Sequence, residues 1–217
     1  MKKEILKKFT AGAVFLAAFV LWTTAVSLVD VQAIGPEGSE VGFAGVNRFV
    51  HELTGVNMTL YNITDWLGLV PVAVCFGFGL LGLCQLIKRR SLKRVDYSIF
   101  VLGGFYIAVM AVYILFEYVV INYRPVLIEG FLEASYPSST TLLVMCVMPT
   151  AALQLRGRIK NAILKKSVLF LICAFTVFMV AGRIVSGVHW ISDIIGGLLL
   201  SAGLVLVYWA FSENRKK

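Results

Sequence analysis

Ser167 to Phe211 reads SVLFLICAFTVFMVAGRIVSGVHWISDIIGGLLLSAGLVLVYWAF, two apolar runs set back to back with one short turn between them. Each run, Ser167 to about Val188 and Trp190 to Phe211, has the length of about 20 mostly apolar residues that a helix needs to cross a bilayer. The only charged residues in the stretch are Arg183 and Asp193, and His189 sits in the turn. Ionisable groups at membrane depth are costly, so they mark a functional site rather than a structural accident.

Working outward, the same length test selects Phe9 to Val29, Trp66 to Ile87, Tyr97 to Phe116 and Ser139 to Leu155. The expected fold is therefore an all-α, polytopic membrane helix bundle of about six transmembrane helices. Composition agrees: 59% of the residues are hydrophobic and 15% charged, with a mean hydropathy of +0.86, against about 25% charged in an ordinary soluble domain. No repeat, low-complexity tract or linker divides the chain, and residues 1–217 are expected to form a single domain.

The basic residues set the orientation. Apart from Arg48, Arg124 and Arg183, every Lys and Arg lies in the N-terminal segment, around Lys88 to Arg94, around Arg156 to Lys166, or in the tail. With six spans these four segments share one side, and the positive-inside rule puts that side, with both termini, in the cytoplasm. The net charge of +8 then reflects topology and attraction to anionic inner-leaflet lipid, and no nucleic-acid partner is implied. Val31-Gln32-Ala33 after a Lys-rich start also fits a signal-peptide cleavage site. The apolar run before it is longer than a typical h-region of about 7–15 residues, which favours an uncleaved first span.

The four cysteines lie within apolar runs without a Cys-x-x-Cys spacing and read as small buried hydrophobes. No cluster of acidic or histidine ligands implies a metal, and no cofactor is expected. The longest outer connection, Asp30 to Asp65, has room for a short amphipathic helix near Val46 to Leu53, and its Arg48, His51 and Glu52 read as a solvated surface. Asn57-Met58-Thr59 and Asn62-Ile63-Thr64 match the short glycosylation pattern, which chance also explains.

Depth gathers the unusual residues. Arg124-Pro125 follows the third span as it emerges outside, and Pro137-Ser138 opens the fourth from the same side. Arg183 lies roughly 24 Å along the fifth span at about 1.5 Å per residue, near its outer end. Two guanidiniums at one level suit a phosphate dianion, because each planar fork donates paired hydrogen bonds. His189 and Asp193, four apart, share a helix face, so the carboxylate can fix the imidazole tautomer and leave the other ring nitrogen as a nucleophile. Ser138, Ser139 and Thr140 open a helix whose free N–H groups form an anion cradle. Singly these have ordinary readings: a snorkelling arginine, an isolated His-x-x-x-Asp, an N-terminal cap. Their convergence at one depth is what points to a site.

Gly182-Arg183-Ile184-Val185-Ser186-Gly187-Val188-His189-Trp190-Ile191-Ser192-Asp193 resembles the third signature of the type 2 phosphatidic acid phosphatase superfamily, Ser-Arg, five residues, His, three residues, Asp. Tyr123-Arg124-Pro125 resembles the end of the first signature, Tyr136-Pro137-Ser138-Ser139-Thr140 stands in the place of the second, and Asp30 to Phe43 is similar to the outer loop of bacterial members. The signature region spans about residues 97–211. The resemblance implies a membrane phosphatase for lipid phosphates or isoprenoid diphosphates such as undecaprenyl diphosphate. His189 would form a phosphohistidine, Asp193 would orient it, and Arg124, Arg183, Ser138, Ser139 and Thr140 would hold phosphate. The implied setting is the cell membrane, with the site facing outside and the lipid substrate among membrane lipids. Three departures stand out: Glu117 replaces the first-signature lysine, Ser139-Thr140 replaces Gly-His, and Gly182 replaces the serine before Arg183. The missing histidine is the general acid that the resemblance implies, typically worth about 10²–10⁴-fold. A family member that binds or transports a phosphorylated lipid without turnover is therefore the alternative, and His51 is a candidate replacement acid.

Overall fold

The computed structural model describes residues 2–213. Arg215, Lys216 and Lys217, counted above with the basic segments, lie outside the described residues. The described chain forms α1 (Lys2–Leu28), α2 (Ala44–Thr54), α3 (Met58–Leu67), α4 (Leu69–Arg89), α5 (Tyr97–Tyr118), α6 (Ser139–Arg158), α7 (Ala162–Val185) and α8 (Ile191–Glu213). Side-chain oxygens start several of them: Asn57 accepts from Leu60 N, Ser138 from Thr141 N and Asn161 from Leu164 N, each covering a first-turn donor.

Five stretches are long and apolar enough to span a membrane: α1, the α3–α4 pair, α5, α7 and α8. In the first four, at most 22% of the apolar window is buried, against 44% in α8. Large side chains such as Phe76, Ile107 and Phe170 are therefore left facing outward. A skin of that size is lipid-facing surface, since soluble proteins rarely expose such patches. The chain is a multi-pass membrane protein.

The fourth expected span, now α6, is 20 residues long but is not among the five. Thr141, Thr150 and Gln154 make it more polar than its neighbours, and it can carry them because it is enclosed by α7, α8, α4 and α5. Gln154 Nε2 reaches Tyr208 Oη on α8 at 2.7 Å and the Ser98 carbonyl on α5 at 3.1 Å. The expected second span, Trp66 to Ile87, lies within the Met58–Arg89 stretch, which Gly68 divides into α3 and α4. The amphipathic helix near Val46 to Leu53 is present as α2.

α8 is the axis of the bundle, and α1 runs antiparallel along it. The two helices touch at glycines. A Cβ on Gly203 would lie 2.7 Å from Leu16 Cγ and 3.1 Å from the Gly12 carbonyl, while one on Gly12 would lie 2.8 Å from Val207 Cγ2. Small residues let helix backbones approach where no hydrophobic effect drives them together. At one end of this pair Lys8 Nζ meets Glu213 Oε2 at 2.5 Å, and at the other Trp22 Nε1 donates to the Ser192 carbonyl at 3.1 Å. The end at Lys8 also holds Asp96, paired with Arg89 at 2.8 Å and Arg158 at 3.3 Å. The opposite end carries α2, α3, the α5–α6 connection and the turn between α7 and α8.

Candidate active site

Three segments that are distant in sequence supply the cluster. The α5–α6 connection folds back on itself, with Arg124 N donating to the Glu133 carbonyl at 3.0 Å and Ser135 N to the Asn122 carbonyl at 2.9 Å. Trp190 Nε1 donates to the Tyr123 carbonyl at 2.7 Å and ties this fold to the α7–α8 turn. α3 then lies across the last turns of α7, with Asn57 N donating to the Ser186 carbonyl at 2.9 Å.

Arg124 and Arg183 are both buried, and they share one platform, the Tyr61 ring of α3. The guanidinium carbon of Arg183 lies 4.9 Å from the ring centroid and that of Arg124 5.7 Å, within cation–π range. Arg183 Nη2 donates to Asp65 Oδ1 at 2.7 Å and also to Thr140 Oγ1. Its Nε and Nη1 are buried without a partner among the described residues. Leaving such donors unmade costs about 1–3 kcal/mol each, so these two favour an anionic acceptor. Arg124 Nε pairs with Glu133 Oε2 at 3.0 Å.

Arg124 Nη1 lies 3.2 Å from His189 Nε2. An arginine N–H can only donate, so Nε2 accepts and the ring proton sits on Nδ1, which faces Asp193 Oδ2 at 3.7 Å. That separation exceeds the usual hydrogen-bond range of about 2.7–3.2 Å. The physical reason is that α8 begins at Ile191, so His189 precedes the helix instead of riding its first turn. Asp193 is fully buried and held from three directions. Oδ1 accepts from Asn122 Nδ2 at 3.0 Å and Ser192 Oγ at 3.4 Å, and Oδ2 accepts from Trp190 N at 3.1 Å. Burial, then the positive charges of Arg124 and Arg183, hold the His189 imidazole well below its ordinary value, against an opposing pull from the Ser135 backbone. The ring is neutral at pH 7, with its Nε2 lone pair available.

The three hydroxyl residues divide. Thr140 accepts from Arg183 and so joins the cluster. Ser138 is buried with its side chain turned to Thr141 N, at 3.4 Å. Ser139 lines a separate small cavity with Tyr113, Phe116, Glu117 and Tyr136. His51, on α2, packs against Trp190 with ring centroids 5.4 Å apart. Sequence reasoning did not single out Tyr61, Asp65, Asn122 or Glu133. Asp65 and Glu133 carried a usable signal, because they are acidic residues bordering a basic site. Among the described residues no three His, Cys, Asp or Glu side chains gather as metal ligands.

Fold and cluster together define a polytopic membrane protein with a buried arginine, histidine and aspartate cluster at one end of its helix bundle. The PAP2 superfamily model matches residues 117–217, the region of the chain that holds Arg124, Thr140, Arg183, His189 and Asp193. The fold is similar to that of a transmembrane PAP2-type phosphatidylglycerolphosphate phosphatase from Bacillus subtilis. The TM-score is 0.57 at 17% identity, over 95% of this chain and 98% of that one. No curated protein matches the chain.

Proposed function

We propose that the protein is a membrane phosphatase that removes phosphate from a lipid phosphate or isoprenoid diphosphate through a phosphohistidine on His189. The observation that carries the reading is the contact of Arg124 Nη1 with His189 Nε2 at 3.2 Å. A guanidinium at the nucleophilic nitrogen brings a phosphate oxygen to the nucleophile, and Arg183, on the same tyrosine platform, takes the other oxygens. Asp193 faces Nδ1, where positive charge develops as Nε2 attacks, and the 3.7 Å gap closes as that charge appears. The match of residues 117–217 to the PAP2 superfamily model supports phosphatase chemistry.

The lipid nature of the substrate follows from the setting. The cluster lies at one end of a bundle with an apolar skin, so a head group can enter while its tails remain in lipid. That end is poor in Lys and Arg, and the positive-inside rule then faces it away from the cytoplasm.

The test is phosphate release by purified protein over a panel of lipid monophosphates and isoprenoid diphosphates, with His189→Ala alongside. The expected result is turnover lost in the variant and an acid-labile phosphate on His189 in the wild type during turnover. Release that is unchanged in His189→Ala sinks the reading. Phosphate binding without turnover selects the binding or transport alternative.

A further inference from the structure

Breaking the phosphorus–oxygen bond of an alkyl phosphate leaves an alkoxide, which needs a proton in the transition state. Neither Thr140 nor the two arginines can supply it near neutral pH. We infer that Asp65 is the general acid of this site, protonating the leaving oxygen of an alkyl phosphate. The inference rests on the phosphatase reading above and deepens it.

Position is the first argument. Asp65 Oδ1 lies 2.7 Å from Arg183 Nη2, the same nitrogen that donates to Thr140 Oγ1. Its carboxyl is therefore one nitrogen away from the Thr140 hydroxyl in the first turn of α6. Attack on phosphorus is in line, so the leaving oxygen departs on the side away from the histidine. Of the two carboxylates at the clamp, Glu133 is bound to Arg124, the arginine that touches His189 Nε2. Asp65 is bound to the other arginine. Glu133 thus belongs with the arginine at the nucleophile, and Asp65 is the carboxylate of the other arginine. His51 meets Trp190 instead.

The second argument is how α3 is held. Thr64 packs on Gly182 so closely that a Cβ there would lie 2.6 Å from Thr64 Cγ2. The contact of residues 64 and 182 sets the register that brings 65 to 183. The absence of a side chain at position 182, where the superfamily signature has serine, is what lets α3 carry a carboxylate to the arginine.

The third is access to protons. The Asp65 side chain is 56% exposed whereas that of Arg183 is 1% exposed, so the acid can be reprotonated from water while the cation stays enclosed. The charged and titratable groups facing Asp65 are Arg183 of α7, Tyr61 of its own helix and Tyr113 of α5.

The step balances. His189 Nε2 forms the nitrogen–phosphorus bond as the phosphorus–oxygen bond to the alkyl group breaks. That bond's electron pair moves to the leaving oxygen, which takes the Asp65 proton and departs as an alcohol. Water then attacks phosphorus, the nitrogen–phosphorus bond breaks with its electrons returning to Nε2, and a water proton restores Asp65.

The test compares an alkyl phosphate lipid with an aryl phosphate, whose phenolate leaves without a proton, in wild type, Asp65→Asn, Asp65→Glu and His189→Ala. Asp65→Asn should lose about 10²–10⁴-fold on the alkyl substrate and a clearly smaller factor on the aryl one, which shares only the later hydrolysis and phosphate-release steps. Asp65→Glu should recover part of the rate. Retained aryl turnover shows the variant is folded. Equal losses on both substrates, or no loss on the alkyl one, overturn the assignment of Asp65. Wild-type turnover that persists in His189→Ala overturns the phosphohistidine reading itself, and this inference with it.

Discussion

Replacing Gly182 by alanine tests how the site is assembled. The new methyl carbon would stand 2.6 Å from Thr64 Cγ2, whereas carbon atoms in contact rest at about 3.5–4.0 Å. Relieving the overlap requires α3 and α7 to separate by roughly 1 Å. Asp65 and Arg183, the next residues along each helix, start 2.7 Å apart; the same displacement takes them to roughly 3.7 Å, beyond hydrogen-bond reach. Overpacking of this kind costs about 1–3 kcal/mol, and a misplacement of about 1 Å near reacting groups costs up to about 10²-fold in rate. Gly182→Ala should therefore lower the thermal midpoint in detergent and slow release from an alkyl phosphate by about that factor. An aryl phosphate should be affected far less. Thr64→Ser supplies the control. It removes Cγ2 but keeps the hydroxyl that donates to the Leu60 and Tyr61 carbonyls at 3.0 and 2.9 Å. In the double variant the nearest neighbour of the new methyl is then Leu60 Cδ1 at 3.8 Å, so stability and rate should both recover. A Gly182→Ala enzyme as stable and fast as wild type, or a double variant no better than the single one, refutes the docking of α3 through Gly182.

Asn122→Ala removes a buried hydrogen bond of 3.0 Å to the Asp193 carboxylate, worth about 1.5–3 kcal/mol because the acceptor is charged. Steady-state kinetics should show a fall in kcat, with a larger fall for Asn122→Asp, and equal rates in all three proteins would remove Asn122 from the site. His189 is held neutral by burial and by the two arginines, so its folded value lies below the unfolded value of about 6.5. The unfolded chain therefore binds the proton first as pH falls. The stability this group contributes is fully present above about pH 6.5 and is lost progressively below it. Titration of His189 by NMR should place its midpoint below that value and higher in Arg124→Ala than in wild type; an unmoved midpoint would count against the Arg124 contact. Gly203→Val drives a side chain into Leu16 and the Gly12 carbonyl, and thermal unfolding should show a loss of about 1–3 kcal/mol. Per-molecule activity should survive, because the contact lies within the α1–α8 pair away from the cluster.

Much of the frame is legible in the residues because the bilayer makes the signal coarse. Runs such as Tyr97 to Phe116 can only be buried or lipid-facing, and α5 starts where that run starts. Helix α6 was legible by length, yet Thr141, Thr150 and Gln154 lower its apolar character, and only packing explains why they are tolerated. Helix α3 was not legible as a helix. Asn57 and Asn62 drew attention as glycosylation acceptors, whereas Asn57 is a helix cap and its signal is local. The meeting of Arg124, Arg183 and His189 could be argued from depth alone. Depth does not reveal lateral position, so Ser138 and Ser139 could not be told from Thr140, and the tyrosine platform and its flanking carboxylates stayed out of view.

Those carboxylates change how the clamp works under the phosphatase reading. Each guanidinium is already engaged, Arg124 by Glu133 at 3.0 Å and Arg183 by Asp65 at 2.7 Å. Binding a phosphate is therefore an exchange of one anion for another rather than the capture of an anion by bare cations. The net affinity is the small difference between two sets of charge-assisted hydrogen bonds. A lipid substrate adds the burial of its tails to that difference and binds, whereas inorganic phosphate has no such term and is released to the returning carboxylates. In a site with two enclosed arginines, where a product dianion would otherwise be held tightly, Glu133 and Asp65 are what permits repeated turnover. It follows that Glu133→Gln should tighten inhibition by inorganic phosphate while leaving the folded bundle intact. Weaker phosphate inhibition in that variant would mean that Glu133 organises Arg124 rather than competing for it.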